Sequence, residues 1–238
     1  SALSTQQIKS FSDGQLAALT MAQADAMNDL QLQALGKRAN YLFKSPVILD
    51  LNDDGIFSVS VEKGISFDHD GQGLLQRTGW VSPNDALLAF DRNSNGLIDN
   101  GTELFGTSTQ LPNGQMAANG YIALRALDTN KDYQLNAQDT EFSNLLLWTD
   151  TNSNGKTDAG ELHALIDSDV VSLALDTTGS KRTEVGNRVA LISSYTTFSG
   201  DTRLMADVWF RTKSMESIKI VGLVELSANS GVLHNAEA

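Results

Sequence analysis

The sequence predicts an α+β fold in which EF-hand-like loops with short helices are followed by a small antiparallel sheet and preceded by short-helix repeats. Three observations carry that reading: an eight-residue repeat at the start, oxygen-bearing side chains at alternate positions of several Asp/Asn/Gly loops, and β-branched runs near the end. They divide the chain into octad repeats at 1–40, a multi-loop region at 45–167, a β region at 168–228 packed on it and a tail at 229–238.

The octads align Ser4, Ser12, Thr20 and Asn28, then Gln7, Gln15, Gln23 and Gln31. Apolar columns follow in register: Ile8, Leu16, Ala24 and Leu32, then Phe11, Leu19, Met27 and Leu35. A Ser, Thr or Asn followed three residues later by Gln is the spacing of a capping box, in which each side chain takes an N–H that the helix start leaves unbonded. Each octad therefore reads as one capped helical turn, stacked on its neighbours or on the next domain because a single turn cannot bury its apolar face. One continuous, Gln-rich amphipathic helix is the alternative, and Ser12-Asp13-Gly14 speaks against it. Farther along, Val170–Leu175, Arg188–Thr197, Arg203–Thr212 and Ile218–Leu226 carry β-branched and aromatic residues between turn signals such as Thr178-Gly179-Ser180 and Ser199-Gly200-Asp201, which predicts strands.

Composition narrows the function. The 238 residues are 41% hydrophobic, enough for a packed core. A net charge of -12 opposes a nucleic-acid partner, whose phosphates need a positive field, and suits a chain that collects cations. No cysteine is present, so disulfides, thiolate catalysis and Cys-ligated zinc are excluded. No stretch has the roughly 18 apolar residues of a spanning helix. The opening Ser1-Ala2-Leu3 has neither a basic leader nor an initiator Met, and the sequence reads as part of a longer parent chain.

The acidic loops supply the chemistry. Ca2+ takes six to eight oxygen ligands, and an EF-hand loop presents them from positions 1, 3, 5, 7 (a backbone carbonyl), 9 and 12, with Gly at 6 for the sharp turn. Asp150, Asn152, Asn154, Gly155, Lys156, Asp158 and Glu161 meet every one of these positions. Asp128, Asn130, Asp132, Gln134, Asn136 and Asp139 repeat the spacing, with Leu135 at the apolar eighth position, Tyr133 in place of the turn Gly and a shorter acid at the close. Asp91, Asn93, Asn95, Gly96, Leu97 and Asp99 open a third loop whose acid, Glu103, stands at position thirteen; Asn100-Gly101 can absorb the extra residue. Two half-loops remain, Asp50, Asn52, Asp54, Gly55 and Asp68, Asp70, Gln72, Gly73, which could share one ion. The expected total is about four Ca2+. Between the loops at 128–139 and 150–161, the segment from Asn136 to Trp148 places Phe142, Leu145, Leu146 and Trp148 at helical spacing, so one helix is expected to serve both and couple their ions.

Other chemistry is not indicated. His69, His163 and His234 have no metal-ligand spacing, Trp80, Trp148 and Trp209 read as core anchors, and phosphate-loop, nucleophile-elbow and zinc-protease motifs are absent. The nonapeptide of β-roll calcium proteins is absent too.

Over about residues 45 to 210 the sequence nonetheless resembles a family. Ser45-Pro46-Val47-Ile48-Leu49-Asp50-Leu51-Asn52 with Asp54-Gly55, Thr78-Gly79-Trp80-Val81, Ile98-Asp99-Asn100-Gly101, Glu103-Leu104-Phe105-Gly106 and Asp207-Val208-Trp209-Phe210 look like the calcium-binding region of large secreted RTX (repeats-in-toxin) proteins of Gram-negative bacteria. The resemblance extends to their self-processing module, which folds on calcium and cuts an Asp-Pro bond at its leading edge by attack of the Asp side chain on its own carbonyl. It implies secretion or surface display, with type I export. Here Ser45-Pro46 stands at the cleavage position, and Ser has no carboxylate to form a cyclic anhydride. Either the module is naturally non-cleaving or its Asp has been replaced. The expectation is therefore a calcium-induced folding module with no catalytic residue of its own; the alternatives are calcium-dependent self-processing and an adhesive or partner-binding role.

Overall fold

Two apolar runs decide the architecture. Val47-Ile48-Leu49 and Ala86-Leu87-Leu88-Ala89 are buried at every position, so the sheet they form is covered on both faces and its strands lose the alternation of apolar and polar residues that marks a one-sided sheet. The structure, a computed structural model, describes residues 3–12, 15, 16, 23, 27, 29–35 and 43–213. Within them the early strands are β1 (Phe43–Lys44), β2 (Val47–Asp50), β3 (Ser58–Val59), β4 (Ile65–Phe67), β5 (Gln76–Thr78), β6 (Trp80–Val81) and β7 (Asp85–Ala89). They are followed by β8 (Gln134–Asn136), β9 (Leu146–Trp148), β10 (Leu162–Ala164) and β11 (Val170–Ala174). Last come β12 (Thr178–Gly179), β13 (Thr183–Glu184), β14 (Asn187–Thr197) and β15 (Thr202–Lys213).

Thirteen of these strands make one antiparallel sheet whose main path runs β10-β9-β7-β2-β15-β14-β11-β8, and β3 with β6 makes a separate pair. The centre joins distant sequence: Leu49 lies opposite Met205 and Ala86, and Asp50 lies opposite Asp85. On one face Val47, Leu49, Leu88, Leu124, Leu135, Leu147 and Tyr195 form a core. On the other, Ile48, Leu87, Ile98, Val208 and Phe210 surround the aromatic group of Phe67, Trp80 and Trp148, with the two indoles 5.6 Å apart in an edge contact.

This corrects the expected α+β, EF-hand-like fold: the described residues are mainly antiparallel sheet, and the helices are short, at Thr5–Lys9, Asp29–Leu35 and Gly120–Arg125. The helix expected from Asn136 to Trp148 is absent. Phe142–Asn144 is a single 3-10 turn, and Leu146–Trp148 is a strand bonded to β7 on one side and β10 on the other. Residues 145 and 147 face one core and 148 the other, so packing and pairing on two sides override a spacing that fits a helix. The strands expected at 170–175, 188–197 and 203–212 coincide with β11, β14 and β15, whereas Ile218–Leu226 and the tail at 229–238 lie outside the described residues.

The octads show their caps where they are described. Ser4 and Ser12 each accept from the Gln three residues on (3.2 Å for Gln7 and Gln15 N–H), and each Gln side chain accepts the Ser N–H in return at 2.8 Å. Ile8, Leu16, Met27 and Leu35 bury together against Phe43, with Trp209 beside them, which seats the repeats on the edge of the sheet. Thr20, Asn28, Leu19 and Ala24 lie outside the described residues.

Candidate metal centre

Each acidic loop starts where an apolar element ends. Asp50 closes β2, Asp68 follows β4, Asp91 and Asp150 stand two residues beyond β7 and β9, and Asp128 follows the Gly120–Arg125 helix. Strands therefore aim four of the five loops, in place of the paired helices of an EF-hand.

The five loops share one backbone conformation. The fourth position is left-handed at Asp53, Gly71, Ser94, Lys131 and Ser153, with φ between 53° and 66°, and the sixth is left-handed at Gly55, Gly73, Gly96, Tyr133 and Gly155, with φ between 63° and 99°. In all five the carboxylate of the first Asp accepts the N–H of the sixth residue: Gly55 to Asp50 (2.7 Å), Gly73 to Asp68 (2.6 Å), Gly96 to Asp91 (2.8 Å), Tyr133 to Asp128 (3.0 Å) and Gly155 to Asp150 (2.7 Å). Tyr133, the departure at the turn position, takes the glycine conformation at φ 63°, and Arg125 lies over its ring at 5.7 Å.

The three whole loops agree further. The fifth side chain accepts from the seventh N–H: Asn95 from Leu97 (2.8 Å), Asp132 from Gln134 (2.9 Å) and Asn154 from Lys156 (2.7 Å). Leu97, Gln134 and Lys156 expose their side chains, as expected of positions that offer a carbonyl only. Asn93, Asn130 and Asn152 each accept the N–H two residues on. The closing acids all reach back to the ninth N–H: Glu161 to Asp158 (3.1 Å), Asp139 to Asn136 (3.1 Å) and Glu103 to Asp99 (3.0 Å). Glu103 does so from position thirteen because Gly101–Glu103 turns as a 3-10 helix capped by Asn100, which takes up the extra residue. Asp139 and Glu161 also hold the Thr129 and Thr151 hydroxyls, and although burial opposes it, these donors and the backbone N–H groups keep both carboxyls low. Glu103 differs. It is almost fully buried, burial raises its pKa, and its Oε1 has no hydrogen-bond partner among the described residues.

The half-loops differ in their surroundings. The loop at 68–73 meets the loop at 91–103, where the Gly101 N–H donates to the Asp68 carbonyl at 2.8 Å and Gly71 lies against Asn100 and Thr102. Asp70 is engaged by Lys44 Nζ at 2.5 Å and by the Ser108 hydroxyl at 3.2 Å. Gln72 donates its amide to the Asp70 carbonyl. The acid that joins Asp50 and Asp54 comes instead from Asp85, and an oxygen of each lies within 4.8 Å of the others. Asp50 and Asp85 are buried, and Oδ1 of each lacks a hydrogen-bond partner. Burial above all, then the facing carboxylates of Asp50 and Asp54, pushes Asp85 up to about 7, against the Phe57 N–H that lowers it. Asn52 donates to Asp54 at 2.8 Å. Orphaned carboxylate oxygens are expensive to bury without a counter-charge, and three acids converging through oxygen alone fit a hard divalent cation. This cluster can hold a metal ion.

Asp85 escaped the sequence reading because it belongs to no loop. Its signal was an acid at the head of the wholly apolar run 86–89, where a carboxylate needs a partner, but only the register of β2 against β7 identifies that partner as Asp50.

At the other end of β2, Ser45 and Pro46 are enclosed. The Ser45 hydroxyl donates to buried Asp207, which also accepts the Gly120 N–H at 2.9 Å, and burial pushes Asp207 up to about 6. The Thr107 N–H reaches the Ser45 carbonyl at 3.3 Å, and Gly106 lies so close to that carbonyl that any Cβ would clash.

Among the described residues no helix is long and apolar enough to cross a membrane. The chain is 40% identical over 202 residues, 84% of its length, to the iron-regulated protein FrpA of Neisseria meningitidis serogroup C, and it spans about 18% of that relative's length. The SPM domain family matches residues 47–211, the stretch that holds every acidic loop and all of the sheet except β1 and the end of β15, and the chain belongs to that family.

Proposed function

We propose that this chain is a calcium-induced folding module of a much longer secreted or surface-displayed RTX-type protein, with about four ions held by its loops. The observation that supports it best is the five-fold recurrence of one loop conformation with the first carboxylate on the sixth N–H, together with buried orphan oxygens on Asp50, Asp85 and Glu103. All of these ligands are oxygens, which suits calcium better than softer-ligand metals. With net charge -12, the metal-free chain repels itself; ions present outside a cell at about millimolar concentration neutralise the loops and lock the sheet. Calcium at a hundredfold excess over Kd adds about 2.7 kcal/mol per site. For a chain of this size that raises Tm by roughly 5–10 °C per site. Melting with calcium and with chelator tests the proposal, and equal melting in both would overturn it.

Self-processing at residue 45 is a second reading, favoured by the enclosure of the Ser45-Pro46 bond beside Asp207. Ser45 lacks the carboxylate the cyclisation needs, so incubation with calcium is expected to leave the chain whole. A fragment boundary after residue 45 on a gel would reverse the preference.

A further inference from the structure

Ile98 and Thr157 hold the same place, the eighth, in the loops at 91–103 and 150–161, and they are bonded to each other twice. The Ile98 N–H donates to the Thr157 hydroxyl at 2.9 Å, and that hydroxyl donates to the Ile98 carbonyl at 2.9 Å. One side chain thus takes both backbone groups of a fully buried residue. On each side the next residue is a ninth-position oxygen donor, Asp99 or Asp158, whose N–H is gripped by its own closing acid, Glu103 or Glu161. The eighth residue of the third whole loop goes elsewhere: Leu135 lies on the opposite core face and pairs with Leu173 of β11.

From this geometry we infer that the loops at 91–103 and 150–161 form one cooperative two-ion unit joined through the Thr157 hydroxyl, and that the loop at 128–139 binds independently. The inference rests on the calcium reading above. An ion in either loop fixes the segment from its seventh to ninth position, and the paired eighth residues then hold the matching segment of the other loop in place before its ion arrives. By linkage the effect is reciprocal. The sequence points instead to the loops at 128–139 and 150–161 as the coupled pair, because one helix is expected to serve both; that helix is absent, and the fold brings together loops some sixty residues apart.

Trp80 makes the idea measurable. Its indole N–H donates to the Asp150 carboxylate at 2.7 Å, so its NMR resonance reports the state of the 150–161 loop. The full chain is titrated with calcium in nine forms: native, Thr157→Val and Thr157→Ser, each alone, with Glu103→Gln added, or with Asp139→Asn added. With the hydroxyl present, native or Thr157→Ser, Glu103→Gln is expected to weaken binding seen at Trp80 about tenfold, a usual coupling strength. In Thr157→Val the same change is expected to cost less than about twofold, and Asp139→Asn less than about twofold in every background. An equal response to Glu103→Gln with and without the hydroxyl, or an equal response to Asp139→Asn, overturns the coupling while leaving calcium binding intact. No calcium-dependent shift at Trp80 and no binding heat in the native chain overturns both.

Discussion

Gly155 shows how narrowly single positions are specified. It sits at φ 70°, and an added Cβ would lie 2.2 Å from Ile65 Cδ1 on β4. Gly155→Ala therefore combines backbone strain with overpacking, and chelator-treated protein is expected to lose about 1–3 kcal/mol, read from denaturant melts. Most of the loop geometry was legible at this scale. The positions from Asp150 to Glu161 were readable because the hydrogen bonds within the loop run between residues no more than ten apart, so spacing alone carries its internal geometry. Tyr133 and Glu103 looked like defects by the same rule; each takes up the common arrangement, one by adopting a glycine's backbone angles and the other by a tightened turn. Asp85 was not legible, since its role depends on a partner brought by another strand.

At the level of elements, what the sequence showed depends on how local the deciding forces are. The octad caps are local and were visible in Ser4-to-Gln7 spacing. A helix at 136–148 was read from the same kind of evidence and is not there, because β9 is held by pairing with Leu87–Ala89 and Leu162–Ala164, which no window around residue 147 contains. The long strands β14 and β15 were readable despite their distant partners, since their β-branched content and the turn at Ser199-Gly200-Asp201 identify a hairpin. The fold class failed on weighting: EF-hand spacing suggested EF-hand helices, whereas here the loops hang from strands. The caps also make a prediction. Ser4→Ala with Ser12→Ala is expected to cost about 1 kcal/mol per cap. Limited proteolysis should then cut within residues 1–40 faster while the sheet's melting transition stays in place.

For the whole molecule, the balance of carboxyl environments sets an unusual pH response. Asp85 and Asp207, pushed up to about 7 and about 6 mainly by burial, favour the metal-free fold when protonated; that contribution is complete below about 4 and is lost as pH rises through 6 and 7. Asp99, Asp139 and Glu161, held low, act the other way, and their contribution disappears only as pH falls below the ordinary carboxylate range. The chelated chain is accordingly expected to melt higher at pH 5 than at pH 7.5, with calcium closing or inverting the gap because it favours the ionised acids. Asp85→Asn should remove much of the chelated chain's slope. The order of strands has a consequence in time as well. The strand at 47–50 pairs with residues 85–87 on one side, but its partner on the other side comes only at 205–207, so one side of the sheet's centre stays open until almost all of the described chain has been made. Such long-range closure is slow. In the exported module proposed above, such wiring would supply a delay: the chain would stay threadable during transit and become rigid once its last long strand and the ions outside arrive together.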